Sequence, residues 1–287
     1  MTALLIATRN AHKAREIRQV LTGDFQFLTL LDFPAAPDAV EDGATFAANA
    51  SKKAIALADW LAANSPVPTS RAGEAGRRLG LGLRLRLREE EDRNARLRGA
   101  VESSSTPLAA ASGLEAGHSL LVLADDSGLE VDALGGAPGV HSARFAAMDT
   151  RNSPDASARR PYQVHSARFA AMDTRGPVNS PDAANNAKLL RLLAGVPLAR
   201  RTARFRCVLA LRRLSATPPA SETLLFEGVC AGRISLQPAG AGGFGYDPLF
   251  IPDGFDKSFA ELGDAVKNTI SHRALALKKL REYLTLE

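Results

Sequence analysis

The chain has 287 residues, 45% of them hydrophobic, and a formal net charge of +5. That is enough apolar material for a buried core in one large or two ordinary domains. Cys207 and Cys230 are too few for a disulfide framework, lack metal-ligand spacing and read as buried thiols. Between Arg71 and Arg98 nine arginines face five acids (Glu74, Glu89, Glu90, Glu91, Asp92), so this segment supplies four of the five net positive charges. The remainder is close to neutral, which argues against a general nucleic-acid-binding surface.

The N-terminal MTALLIATRN reaches a polar turn too early for a signal-peptide core or a membrane span, and no longer apolar run follows. A soluble, cytoplasmic protein is expected. Residues 3–7 read as a buried strand, TRNAHK as a turn and EIRQVL as a helix. A second strand is expected around Phe25–Leu31, and a helix from Thr45, capped by that threonine and fading by Asn64.

Residues 65–119 are rich in Gly, Arg, Ser and Ala and hold no aromatic residue, so they read as a mobile insertion, too poor in core formers to offset the entropy of ordering. SLLVLADDSGLEV then has the form of a buried strand delivering two acids to an edge, and LGGAPGV that of a turn. NNAKLLRLLAGV is an amphipathic helix, TARFRCVLALRRL and LLFEGVCAGRISL are strands, AGAGGFGYDPLFI is a glycine-rich loop entering a strand, and NTISHRALALKKLREYL is a basic helix. Strands and helices mix throughout, which gives an α/β class.

The turn Thr8–Lys13 would present a helix N-terminus and a lysine to an anion. Asp125 and Asp126 project to opposite faces of a strand, so only one easily enters a given site. They suit either a hard cation and a water, or a solvated turn with a capping acid. GGFGYDP offers close backbone approach, aromatic faces and an orienting acid. SHR at Ser271–Arg273 adds donors downstream of Lys267, or else a core histidine and a surface arginine. Together these elements describe a nucleoside triphosphate site.

ATRNAHKAREI, TFAANASKKA, LADDSGLEVDALGGAPGVHSARF, RFRCVLAL, and GFGYDPLF with KNTISHRALAL resemble, in family order, the Ham1-type inosine triphosphate pyrophosphatases. The resemblance covers nearly the whole chain apart from the Arg-rich segment and one repeat copy. It implies an elongated, mixed α/β fold of two lobes with the substrate cleft between them, usually a homodimer. It also implies Mg²⁺-dependent hydrolysis of ITP, dITP or XTP to the monophosphate and pyrophosphate. Carried onto this sequence, Thr8, Arg9, Asn10, Ala11, His12, Lys13 and Lys53 would hold the triphosphate. Asp126 would ligate the metal and activate water, with Glu41 as second ligand and Ser127 contacting substrate. Phe244, Gly245, Tyr246, Asp247, Lys267, His272 and Arg273 would shape the base pocket.

This chain departs from the family pattern in two places. Arg9 stands where a glycine is usual, and Ala48 where a glutamate is usual, which puts one acidic contact to the metal or to Lys53 in question. The competing readings are a catalytically weakened nucleotide-binding protein of the same fold, and an Arg-rich arm for RNA or a partner. The missing aromatics count against specific RNA stacking. Finally, VHSARFAAMDTR occurs at Val140–Arg151 and again at Val164–Arg175, and NSPDA recurs at Asn152 and Asn179. Two short copies do not make a solenoid. The chain is expected to be one domain, residues 1–287, interrupted at 65–119 and by a duplicated segment at 140–187, with the first copy in the native position.

Overall fold

The computed structural model describes residues 2–64, 120–151, 179–214 and 222–286. The Arg-rich segment and the second repeat copy lie outside them. The strands are β1 (Thr2–Ile6), β2 (Phe25–Thr29), β3 (Leu120–Val131), β4 (Thr202–Arg213), β5 (Thr223–Ile234) and β6 (Phe250–Pro252). The helices are α1 (Ala11–Val20), α2 (Phe46–Asn64), α3 (Asp182–Leu192), α4 (Phe259–Ile270) and α5 (His272–Leu286).

All six strands join one mixed sheet in the order β2-β1-β3-β4-β5-β6. β1 runs parallel to both β2 and β3, as a crossover through α1 requires, whereas β3 to β6 are antiparallel. β3, β4 and β5 are each twelve residues long, the longest strands of the sheet. β1 flanks β3 only as far as Leu123, and β6 flanks β5 only from Gly232 to Ile234.

The period of two along β3 decides what each face buries. Val122 and Ala124 pack with Ala50, Ala54, Leu57 and Leu61 of α2, while Leu121 and Leu123 pack with Ile17 of α1 and Ala276, Leu277 and Leu280 of α5. A further core gathers Leu129, Val131, Phe205, Phe250 and Phe259 with Leu189 of α3. The sheet thus links a wide lobe, where β1 and β2 flank it, to a narrower one beside β6.

Two local differences from the sequence reading have clear causes. β3 does not end at its aspartates, because β4 pairs with it throughout, Asp125 opposite Leu209 and Asp126 opposite Val208. Only β1 stops there, so the acids face a gap in the sheet rather than its edge. The basic C-terminal stretch is two helices: Ser271 adopts extended backbone (φ −68°, ψ 157°), and its hydroxyl accepts from Ala274 N–H at 3.2 Å, capping α5.

The first repeat copy occupies the place after GGAPG. Phe145 is in the core and Ser142 Oγ accepts from Leu129 N–H at 2.9 Å. Gly128 is required here, because a Cβ would come within 2.4 Å of Gly139 O.

Candidate active site

Where β1 ends, the chain turns through Thr8–Asn10 into α1. Asn10 caps the helix, its Oδ1 accepting from His12 N–H at 2.9 Å and Lys13 N–H at 3.2 Å. The amides expected to meet an anion are therefore partly taken. Thr8 Oγ1 accepts from Asn10 N–H at 3.1 Å, and Ala11 opens the helix. Arg9 turns its guanidinium out of the cleft: Nε meets Asp38 at 2.9 Å, Nη1 donates to Leu30 O at 3.2 Å and Nη2 to Ala36 O at 2.9 Å. Its charge serves the loop between β2 and α2, not the expected phosphate position.

Lys13 points inward and pairs with Asp125. The same carboxylate accepts from Ser127 Oγ at 2.7 Å, Cys207 Sγ at 3.2 Å and Arg273 Nε at 3.1 Å. Burial alone would push this carboxyl up, but Arg273 and Lys13 reverse the effect and hold it well below the usual carboxylate range. Burial keeps the Cys207 thiol protonated and a donor.

On the opposite face of β3, Asp126 meets Lys53 Nζ at 3.2 Å and Asn49 Nδ2 at 3.1 Å. Lys53 also meets Glu41 at 2.7 Å and Asp125 O at 3.1 Å. Burial raises the Asp126 carboxyl; Lys53 and Lys13 oppose this without cancelling it, and Glu41 adds to the rise. For Lys53 the balance falls the other way: burial lowers its pKa, but the charges of Asp126 and Glu41 outweigh burial and raise it, leaving it cationic. Glu41, not a residue at position 48, is thus the acid beside Lys53. Arg144, from the first repeat copy, steadies it through Nη2 to Glu41 O at 3.0 Å.

The α4–α5 junction supplies the other end of the cleft. Gly228 on β5 admits it, since a Cβ would lie 2.0 Å from His272 O. Arg273, only 2% exposed, pairs with Glu16 of α1 as well as with Asp125. Lys267 meets Glu16 at 2.8 Å and Asp247 at 2.5 Å, and lies 4.5 Å from the Phe244 ring centroid. Asp247 Oδ2 accepts from Phe244 N–H at 2.9 Å, and Gly245 N–H donates to Asp182 at 2.7 Å. Tyr246 turns away, its hydroxyl donating to Ser142 O at 2.9 Å. His272 stacks on Phe205 at 4.7 Å, and burial followed by the neighbouring Arg273 and Lys267 charges holds it neutral. Its buried Nδ1 has no hydrogen-bond partner among the described residues.

The expected residues therefore converge, except the side chains of Arg9 and Tyr246. Glu16, Asn49 and Arg144 were not singled out in the sequence and Cys207 was read only as a buried thiol, although Glu16 lies three residues after Lys13 and Asn49 four before Lys53, each on its lysine's helix face. The arrangement is two runs of ion pairs that meet at the adjacent Asp125 and Asp126, Glu41–Lys53–Asp126 on one face of β3 and Asp125–Arg273–Glu16–Lys267–Asp247 on the other, the second ending beside the Phe244 ring. Among the described residues no group of three or more His, Cys, Asp or Glu side chains is set to hold a metal. Glu41 and Asp126 nonetheless share one ammonium, so two carboxylates already converge on a cation.

A mixed α/β protein with such a cleft belongs to the nucleotide-handling class, and comparison with known proteins narrows it. The Ham1 family profile matches residues 4–67, 89–160 and 159–283. A dITP/XTP pyrophosphatase of Geobacillus kaustophilus is 38% identical over 98% of this chain and 94% of its own, and one of Shouchella clausii is 34% identical over 98% and 96%. The solved HAM1 protein of Coxiella burnetii superposes with a TM-score of 0.61 at 28% identity, covering all of both chains. The chain belongs to the Ham1 family.

Proposed function

We propose that this protein is a nucleotide-pool pyrophosphatase that hydrolyses dITP, XTP and ITP to the monophosphate and pyrophosphate. The observation that supports it most is the junction at β3, where Asp125 and Asp126 back onto each other. Asp125 ties Lys13 of the phosphate turn to Arg273 of the base end, and Asp126 belongs with Lys53, Glu41 and the phosphate end.

Lys13 and Lys53 neutralise the triphosphate. Asp126 takes the proton from the attacking water as oxygen adds to phosphorus and the α–β anhydride bond breaks, pyrophosphate leaving. Its raised pKa makes it a stronger proton acceptor than an ordinary aspartate. Glu41 and Asp126, whose carboxylates already share the Lys53 ammonium, would hold Mg²⁺, a hard cation suited to oxygen ligands. Bound there, the ion supplies charge neutralisation at the phosphates.

Base selection follows from the polar atoms left at the other end. Arg273 and Lys267 are donors, and His272 Nδ1 is unpartnered. A 6-keto purine meets donors with an acceptor, whereas adenine's amino group leaves buried groups unpaired. The protein acts in the cytoplasm as a homodimer and engages no specific nucleic acid. Among the described residues no helix is long and apolar enough to cross a membrane.

The test is pyrophosphate release from dITP, XTP, dATP and dGTP with Mg²⁺, beside light scattering for the dimer. Equal turnover of dATP and dITP would overturn the selection. Tight binding of dITP without turnover would favour the weakened-binder reading.

A further inference from the structure

Two rings from opposite sides meet at the outer edge of the cleft. His12, in the first turn of α1, stacks on Phe244 of the glycine-rich loop, with centroids 5.3 Å and planes 25° apart. His12 is exposed, and its backbone N–H is already given to Asn10 Oδ1. Its neighbour Lys13 reaches inward to Asp125, about 100° further round the helix. His12, four residues before Glu16, neighbours it one turn on as Lys13 does, and Glu16 holds both Lys267 and Arg273. The surface cleft beside the two rings is walled by Arg15, Gln19 and Asp264.

The family resemblance would group His12 with the triphosphate; this geometry sets it at the base end. We infer that His12 is a positioning residue for the purine, the outer wall of the base pocket, with the base lying between its imidazole and Phe244. This rests on the function proposed above. At 5.3 Å the rings admit nothing between them, and a base stacked on both needs about 7 Å, two van der Waals spacings. Entry therefore opens the contact by roughly 2 Å, within reach of an exposed side chain's rotamer change. Before entry the ring pair closes the mouth. Because every base has a π-face, such a wall sets affinity without distinguishing 6-keto from 6-amino purines.

The experiment compares wild type, His12→Ala and His12→Phe with dITP and XTP, using inorganic tripolyphosphate as a baseless competitor. His12→Ala should raise KM for both substrates by roughly two- to tenfold, the usual worth of one aromatic contact. Both kcat and tripolyphosphate inhibition should stay at the wild-type level, and His12→Phe should restore KM. Tripolyphosphate inhibition weakened in parallel with KM would make His12 a phosphate contact and overturn the proposal. An unchanged or lower KM in the alanine variant, or no recovery with phenylalanine, would overturn it too. Wild-type hydrolysis of dATP at the dITP rate would instead defeat the base-selection reading and leave the His12 comparison standing.

Discussion

Arg273 Nε stands 3.1 Å from Asp125 Oδ2 although 148 positions separate them, and both residues are almost fully buried. This contact fastens the start of α5 to the middle of β3, so Arg273 of α5 and Lys13 of α1 share one carboxylate. Asp125→Asn leaves Arg273 and Lys13 facing a neutral amide in the interior. Removing one partner from a buried ion pair costs about 3–5 kcal/mol. Urea denaturation at pH 7 should show a loss of that size. Because the folded-state pKa of Asp125 lies below its ordinary 3.8, the stabilisation is complete above that value and is lost as pH falls through the folded one. The variant should accordingly lack part of the wild type's acid sensitivity, and a midpoint equal to wild type at pH 7 would refute this account.

Asp126 carries the opposite sign. Its folded-state pKa is raised above 3.8, so ionising it costs stability as pH rises through that range. Asp126→Asn should melt no lower than wild type at pH 7, Lys53 keeping Glu41 as partner. Activity should fall by roughly 10²- to 10⁴-fold, the range for losing a positioned base. In the wild type, kcat/KM should show an acidic limb above pH 3.8, since the carboxylate must be ionised to accept a proton. Persistence of that limb in the asparagine variant would assign it to another group.

The order of strands and helices, and the identity of most cleft residues, were legible because each sits in a local signal. Asp125 and Asp126 end an apolar run, Lys13 follows a strand-to-helix turn, and Phe244 lies among glycines that close approach demands. Gly243, at φ 73°, would set a Cβ only 2.2 Å from Asp247 Oδ2. What was not legible depends on which way a side chain turns once the fold is complete. Arg9 looked like added charge for phosphate, yet carbonyls of Leu30 and Ala36 lie within its reach and a phosphate does not have to. Tyr246 looked like a stacking partner beside Phe244, but burial favours giving its hydroxyl to Ser142 O. Glu16 carried no signal of its own in the sequence, because its role exists only once α5 brings Arg273 beside it.

Glu16 is the acid through which α1 orients both base-end cations, and its pKa is lowered: burial opposes this, and Arg273 followed by Lys267 outweighs it. Glu16→Gln keeps the volume and removes the charge. Arg273 retains Asp125, and Lys267 retains Asp247, so the fold should survive with a loss of about 1–3 kcal/mol, the scale of hydrogen bonds to charged groups. The cations should nevertheless lose their fixed direction. The ratio of kcat/KM for dITP over dATP should drop by roughly tenfold, mainly through KM for dITP, since orientation of two donors is what rejects the amino group. Steady-state kinetics with both nucleotides decides it, and an unchanged ratio would remove Glu16 from base selection.

The duplicated segment should tolerate reduction to a single copy. The first copy is engaged through Phe145 in the core, Ser142 at Leu129 N–H and Arg144 at Glu41 O. Asn179 and Ser180 lie at the second copy's downstream end, and Ser180 N–H reaches back to Ala143 O at 2.9 Å. The fold therefore needs one VHSARF after Gly139 and a connection to α3 that begins near Ala143. Deleting Val140–Gln163 places Val164–Phe169 directly after Gly139, restoring the same sequence at the same position and shortening the connection by a whole copy. Loop closure depends only logarithmically on length, so the change is worth less than about 1 kcal/mol and favours the shorter chain. The deletion variant should hydrolyse dITP at the wild-type rate and melt at or slightly above the wild-type temperature. In that variant Phe169→Ala should cost about 3–5 kcal/mol, as expected for emptying a core aromatic site. In the full-length chain the same substitution should cost almost nothing, because Phe145 fills the site. A deletion that abolished turnover, or a Phe169→Ala penalty equal in the two backgrounds, would show that both copies are needed.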